Sequence, residues 1–525
     1  MLIDLLEGGP ELLEADVAII GSGAAGMTMA RSLLERGLTV LLLESGGLDY
    51  EARTADLNHG ENIGEPYYEL ERSRLRFFGG TTAIWGGRCA EFDPIDFERR
   101  DWVPYSGWPV TYDQMKPWFA AAHKRLDIVP TDGMAGPGLL ERLAGPELDI
   151  QHWFFDRNAD RFGAAKNRDL IDDVRAKVVV HATVREIVAV HDANSIDWLD
   201  VRAPSGKAHK AKAKAYVLAA GGLENPRILL ASNSVATAGL GNQNDLVGRF
   251  FMEHPHARGG RIKDAPVWRM LESFRTRRKG GVDAAPLITL SEEAQRREGV
   301  LNGALTVAAR PPSTGRLAIG KRAYHYVKHK TAPTGQGRAL WRLYRGLRRA
   351  GRPISSMSAV IRCLNGTKEL ALVIRAEQAP NPDSRVTLSN DTDAMDMPRI
   401  NLDWRLTRLD VESAAALVKG FGREAERAGI GRVEPAEWLD AGSSEWVTDA
   451  LISAHPIGGY HHMGTTRMAD DPKFGGTDAW GKVHGIANLY VAGSSLFPTS
   501  GWANPTLPIV ALALRTADHI ASSGG

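Results

Sequence analysis

Cysteine is almost missing from this chain: Cys89 and Cys363 are the only two among 525 residues. That excludes a disulfide framework and leaves too few thiolates for an iron–sulfur cluster or a structural zinc site. No run of about 18 apolar residues occurs, so no membrane span is expected. A charge imbalance is absent as well. With 64 basic and 63 acidic side chains the formal net charge is +1, and nothing global points to nucleic acid or to an anionic membrane as partner. Lysine and arginine are also lacking from Met1 to Asp16, where a secretory leader would carry them, so a cytoplasmic location is expected. What the chain does have is an ordinary globular balance, 43% hydrophobic and 24% charged, at a length that favours more than one lobe. Glycine is plentiful at 55 residues, which suits tight turns and close backbone approaches.

The most informative glycines come first. Val17-Ala18-Ile19-Ile20 reads as a buried strand that runs into Gly21-Ser22-Gly23-Ala24-Ala25-Gly26, then into a helix ending near Arg36, with Gly37 as its C-terminal cap. A second strand, Thr39 to Leu43, ends at Glu44. Gly21 permits the tight turn, Gly23 lets backbone touch a pyrophosphate, and Gly26 lets the helix lie close to the strand. The helix N-terminus then faces the phosphates, and Glu44 faces the ribose hydroxyls. This pattern predicts a dinucleotide site without separating FAD from NAD.

Further pieces of an α/β, Rossmann-like domain return later. Lys177–Val188 reads as strand-like, Ala215–Ala220 as a buried strand ending in Gly221-Gly222, and Leu489–Ala492 as a strand reaching Gly493-Ser494 before a helix from about Pro505 to Ala521. The expected division is a discontinuous nucleotide domain over 1–105, 176–262 and 456–525. An inserted α+β substrate domain then covers 106–175 and 263–455. In it Met357–Arg362, Lys368–Ala376 and Arg385–Ser389 read as antiparallel strands.

Four motifs in this order resemble the glucose–methanol–choline (GMC) family of FAD oxidoreductases. They are Gly21–Gly26 with Glu44; Phe78-Gly79-Gly80-Thr81-Thr82-Ala83-Ile84-Trp85-Gly86-Gly87, similar to the family's flavin-edge segment; Glu377–Pro382 through Val386; and His461-His462-Met463-Gly464-Thr465 with Gly493-Ser494 and Asn504-Pro505-Thr506. The His–Asn version of the last block looks more like the pyranose oxidase and glycoside oxidase branch than the His–His branch. The resemblance implies bound FAD, with Gly79, Gly80, Thr81, Trp85, Gly86, Val184, Gly221, Gly493, Ser494, Pro505 and Thr506 joining the first motif in the cofactor site. Trp85 either lies against the isoalloxazine or fills core. Pyranose oxidases attach FAD through a histidine just before that tryptophan; Ile84 stands there in this chain, so non-covalent FAD is expected.

The implied chemistry is oxidation of a CH–OH group, chiefly a secondary hydroxyl of a sugar, glycoside or polyol, by hydride transfer to flavin N5. The hydroxyl proton needs a positioned base, and histidine is suited because its pKa lies near neutrality. By motif match His461 is that base, and Asn504 donates to the substrate oxygen, although beside Pro505 it also suits a helix cap. The positive end of the last helix would face the flavin. His462 and His455 read as structural or substrate-lining, and His254 and His256 as core or lining rather than metal ligands. The electron acceptor, whether oxygen, a quinone or a protein, is left open.

Two rivals remain: a flavin enzyme reduced by NAD(P)H, for which Gly239-Leu240-Gly241 is the nearest second nucleotide turn, and a non-catalytic flavin-binding protein. Apart from these, Lys321–Arg352 is basic and free of acids. Its interleaved leucines and arginines read as an amphipathic helix, favoured as a lid or oligomer contact over a membrane contact.

Overall fold

The computed structural model describes residues 1–130, 138–158, 160–313, 330–440 and 443–523. Two eight-stranded sheets dominate it. In the first, Leu2–Asp4, Ala176–Val180, Val40–Leu43, Leu12–Ile20 and Ala208–Leu218 lie side by side in parallel, with Leu489–Val491 parallel to Ala208–Leu218. Ile196–Arg202 and Thr183–Ala189 close the sheet in antiparallel sense. Val17–Ile20 and Val40–Leu43 are buried throughout, as strands covered on both faces must be. Helices Ala24–Glu35 and Thr506–Ser522 pack against each other beside this sheet and share its core.

The second sheet is antiparallel and runs Arg432–Pro435, His256–Lys263, Glu369–Ala376, Gly303–Arg310, Val282–Leu290, Leu148–Phe155, Arg88–Cys89, with Arg277–Lys279 as an eighth strand paired to Val282–Leu290. Helix Arg408–Arg427 begins at a capping box in which Thr407 and Asp410 exchange hydrogen bonds. It buries Leu417, Val418 and Phe421 against Leu305, Leu372 and Ile374, at roughly 1.5–3 kcal/mol per side chain. A small third sheet joins Arg385–Thr392, Pro398–Asp403 and Gly60–Asn62.

The strands of the two large sheets do not divide at residues 105/106 and 262/263. Arg88–Cys89 and His256–Lys263 belong to the antiparallel sheet, and helix Tyr112–Arg125, expected with the insert, packs on the C-terminal helix. Three local expectations also change. Lys177–Val188 is two strands, because His181 adopts a left-handed φ of 54° between them and is held there by Asp4 and Glu51 at 2.6 and 2.9 Å. Met357–Arg362 is not a strand but part of helix Arg352–Leu364; Ile354, Met357, Ile361 and Leu364 repeat at helical spacing along it. Arg385–Ser389 does form an antiparallel strand, but in the third sheet. Of the basic segment, Gly335–Ala350 is helical, with Arg338 paired to Asp49 at 2.5 Å and Arg342 paired to Asp160; residues 321–329 lie outside the described residues.

One fully buried ion pair ties the segment after helix Pro94–Phe97 to the end of strand Glu369–Ala376. Arg100 donates to both oxygens of Glu377 at 2.9 and 2.6 Å, with neither side chain exposed, and Glu377 also accepts from the Asn302 N–H at 2.8 Å. Removing one member of such a pair leaves an uncompensated buried charge. Arg100→Leu is therefore expected to cost about 3–5 kcal/mol in a denaturant melt of the loaded protein; a midpoint close to that of the parent chain would contradict this.

Candidate functional site

The C-terminal ends of the parallel strands and one edge of the antiparallel sheet enclose a cavity of about 350 Å³. Fifteen of the seventeen expected site residues line it: Gly21, Gly23, Glu44, Gly80, Thr81, Trp85, Gly86, Val184, Gly221, His461, Gly493, Ser494, Asn504, Pro505 and Thr506. Gly26 and Gly79 do not reach it, and their reason is packing. A Cβ on Gly26 would stand 1.9 Å from the Gly21 carbonyl oxygen, and one on Gly79 would stand 2.6 Å from that of Phe162. Gly21 has φ +100° and directs the chain into helix Ala24–Glu35, whose N-terminus opens on the cavity.

Glu44 differs in part from expectation. Its carboxylate already accepts from the Ser22 N–H and hydroxyl at 3.1 and 2.6 Å and from the Gly46 N–H at 3.0 Å. It thus fastens the glycine turn to the second strand, with little acceptor capacity left for a ribose. Beside it, Arg74, Arg76, Asn58 and Glu224 line the same wall, and the sequence pattern did not single them out. Against the cost of burying it, Arg76, Arg227 and Arg74 hold Glu224 well below the usual carboxylate range. Burial brings Arg74 down to about 10.

At the other end stand the two expected catalytic residues. Asn504 Nδ2 is 3.2 Å from His461 Nε2. The other ring nitrogen of His461, Nδ1, is 2.7 Å from Nδ1 of His254. His254 Nε2 faces the carbonyl oxygens of Gly501 and Ser500 at 2.9 and 3.2 Å, and carbonyls only accept. His254 therefore carries its proton on Nε2 and accepts at Nδ1. His461 must then carry its proton on Nδ1, which leaves the Nε2 lone pair facing Asn504 and the cavity. Burial pushes His254 down to about 4 and, with the neighbouring histidines, His461 well below the ordinary imidazole value. Both are neutral at pH 7.

Buried Glu253 fixes the loop that presents His461. Its carboxyl group accepts from the N–H groups of His254, Gly459 and His461 at 2.8, 3.1 and 2.9 Å and from the Tyr67 hydroxyl at 2.6 Å. Burial raises its pKa, and these donors act in the opposite sense. A Cβ on Gly458 would meet the Glu253 side chain at 2.4 Å. Tyr460, with φ 61°, occupies the left-handed region beside His461. His462 lines the cavity as well, with its Nε2 3.1 Å from the Tyr67 hydroxyl, as do His256 and His455. His254 was expected as core or lining; it is buried and holds His461. The signal available was its place in Met252-Glu253-His254-Pro255-His256, but nothing local shows what it touches 207 residues away.

Gly239-Leu240-Gly241 forms no second nucleotide turn. It packs on the end of helix Glu224–Ala231, with a Cβ on Gly239 blocked by Leu230 at 2.8 Å and one on Gly241 by Val483 at 2.4 Å. Among the described residues no group of His, Cys, Asp and Glu is arranged to hold a metal ion, and no helix is long and apolar enough to cross a membrane.

Comparison with known proteins agrees with this layout. Residues 16–237 match the family model "FAD dependent oxidoreductase" and residues 380–513 match "GMC oxidoreductase". The chain is 25% identical to 6'''-hydroxyparomomycin C oxidase of Streptomyces lividus, over 99% of this chain and 93% of that protein. It is 22% identical to the fructose dehydrogenase large subunit of Gluconobacter japonicus, over 97% and 98%. Among solved structures, formate oxidase aligns over 98% of this chain and 99% of its own, with TM-score 0.57 and 16% identity, a likeness of fold.

Gly26→Ala tests the turn. The added methyl forces helix Ala24–Glu35 off the Gly21 carbonyl, so the variant is expected to purify folded with most of its dinucleotide lost, read as cofactor absorbance per protein. Full cofactor content in that variant would contradict the packing argument.

Proposed function

The chain belongs to the GMC family of FAD-dependent oxidoreductases, and from that premise we propose that it oxidises a CH–OH group of a sugar, glycoside or polyol, with Nε2 of His461 as the base. A secondary hydroxyl is the favoured target. The observation that carries this reading is the fixed direction of the His254–His461 hydrogen bond, which delivers an unprotonated nitrogen to the cavity.

The residues present fit FAD held without a covalent bond. The glycine turn leaves room for a pyrophosphate at a helix N-terminus, Ile84 offers no nucleophile, and Trp85 Nε1 is a buried donor with no partner among the described residues. The N-terminus of helix Thr506–Ser522 opens on the same cavity and favours negative charge there. FAD, when bound, supplies the acceptor for the two electrons and the hydrogen that leave the alcohol carbon.

The protein supplies the rest. A substrate hydroxyl lying between Asn504 and His461 accepts from the amide Nδ2–H and donates to Nε2, replacing their 3.2 Å contact. The amide fixes the oxygen, so the C–H direction is set before any bond changes. When the proton arrives at Nε2, the His461 Nδ1–H still donates to His254, and the Glu253 carboxyl group 4.0 Å away offsets the new positive charge. Oxygen, a quinone or a protein serves as the final acceptor.

An anaerobic screen of sugars, glycosides and polyols is expected to bleach the flavin with at least one class; a panel that leaves it fully oxidised would sink the proposal. His461→Ala should retain FAD and slow flavin reduction by about 100-fold or more, the scale of a lost general base. The pH profile of the same step follows from burial. Because His461 is held well below 6.5, its basic form is already complete at neutral pH. The rate is expected to be flat from neutral pH upward and to fall only in acid, below the ordinary imidazole range. A half-maximal rate near or above pH 6.5 would contradict a buried, neutral base.

A further inference from the structure

Four arginines line the cavity; Arg74 and Arg76 hold Glu224, and the other two, Arg88 and Arg375, take part in no step above. Arg88 follows the flavin-edge glycines, and its Nη1 reaches within 3.7 Å of where a Cβ on Gly86 would stand. Arg375 lies on strand Glu369–Ala376, directly opposite His256. Both guanidinium groups face the ring of Trp153, at 5.5 and 5.0 Å from its centre, and Arg88 is also 5.7 Å from that of Phe155. Trp153 packs edge-on against Trp502 at 6.1 Å, two residues before Asn504. The pair thus stands beside the His461–Asn504 end of the cavity and apart from the glycine turn, where a pyrophosphate belongs.

What is missing around them is negative charge. Among the described residues neither guanidinium has a carboxylate at ion-pair distance. The contacts of Arg375 are the Thr306 hydroxyl at 3.4 Å and the indole face, and Arg88 Nε is enclosed with no hydrogen-bond partner. Elsewhere buried Arg100 is paired with Glu377 and Arg227 with Glu224 and Asp393, while Arg467 and Arg515, buried without a carboxylate, each donate to a backbone carbonyl and stand singly over one ring; among the described residues only Arg88 and Arg375 share a ring and face the cavity together. Two like charges on one aromatic ring are costly to enclose unless a counter-charge arrives. Burial, and for Arg375 also its neighbours Arg88 and Arg310, pulls both guanidinium groups below their ordinary value. An aromatic ring attracts each cation but cancels neither.

We propose that Arg88 and Arg375 form an anion subsite and that the substrate is an acidic alcohol, one whose carboxylate or phosphate is held by this pair while its hydroxyl carbon lies at His461 and Asn504. This rests on the alcohol oxidation proposed above and adds the charge of the molecule oxidised. Planar, forked guanidinium donors suit either oxyanion. A sugar bearing an ammonium group at the same position would meet two like charges.

The test is an anaerobic titration of the FAD-loaded enzyme at constant ionic strength with glucuronate, gluconate, glucose 6-phosphate, glucose and glucosamine. It reads perturbation of the flavin spectrum for binding and bleaching for reduction. At least one of the three anions is expected to bind about 10- to 100-fold more tightly than glucose, the range of a charge-assisted hydrogen bond, and glucosamine no better than glucose. Which anion wins separates a carboxylate from a phosphate. Arg375→Met and Arg88→Met, checked for full FAD content, should erase that preference and leave the affinity for glucose as it was. Equal binding of glucose and all three anions, or anion preference intact in both variants, would overturn the subsite. So would an equal loss for charged and neutral ligands, since the pair would then act on the flavin. Tight anion binding with no bleaching by any hydroxyl compound would instead remove the oxidation reading and leave the subsite standing.

Discussion

The 2.7 Å hydrogen bond between the Nδ1 atoms of His254 and His461 is the constraint on which the site depends. Two nitrogens of the same kind cannot both accept or both donate, so one ring must hold a proton where the other does not. The choice is made at the far side of His254, where the Gly501 and Ser500 carbonyls admit only a donor. Backbone geometry in the loop before Asn504 therefore fixes the protonation pattern of an imidazole two residues-in-contact away, and the same loop carries Asn504 itself. The tautomer of His461 and the place of the Asn504 amide are set by one short stretch of chain. Glu253 performs the companion task on the opposite loop by gathering three N–H groups and a phenol onto one carboxyl group, which holds Gly459 to His461 in place despite the left-handed turn at Tyr460.

The two sheets make that meeting possible. Parallel strands deliver Gly21, Glu44, Gly221 and Gly493 at their carboxyl ends, where ligands of open α/β sheets bind. The antiparallel sheet brings His256, Arg375 and Arg88 to the same cavity from the other side. Discontinuity in the chain is a consequence: each wall needs strands from both halves, and Arg88–Cys89 leaves the neighbourhood of the first sheet to become the edge of the second.

Much of this was legible in the sequence, and the limit follows from range. Gly21 to Gly26 with Glu44 is a contiguous device whose physics is local, so its position in the fold could be foreseen. His461 and Asn504 were legible because their motif fixes both. His254, Glu253, Arg88 and Arg375 were not, because each acts through a partner far away in the chain, and a lone histidine or arginine carries no signal of what it faces. The helix Arg352–Leu364 was misread for a different reason. Its central Ser and Val residues suggest a strand over a short window, while the apolar repeat that reveals a helix needs all four of Ile354, Met357, Ile361 and Leu364.

The charge pattern of the cavity links its two ends. His256 is pushed well below its ordinary pKa by burial first and then by the positive charges of Arg375 and Arg88, and it is one of the histidines whose potential bears on His461. The two arginines thus help keep His256 neutral in the wall beside His461. Burial is the first cause for both histidines, so the depth of the pocket sets their neutral state, and the positive charges on its far wall add to it at His256.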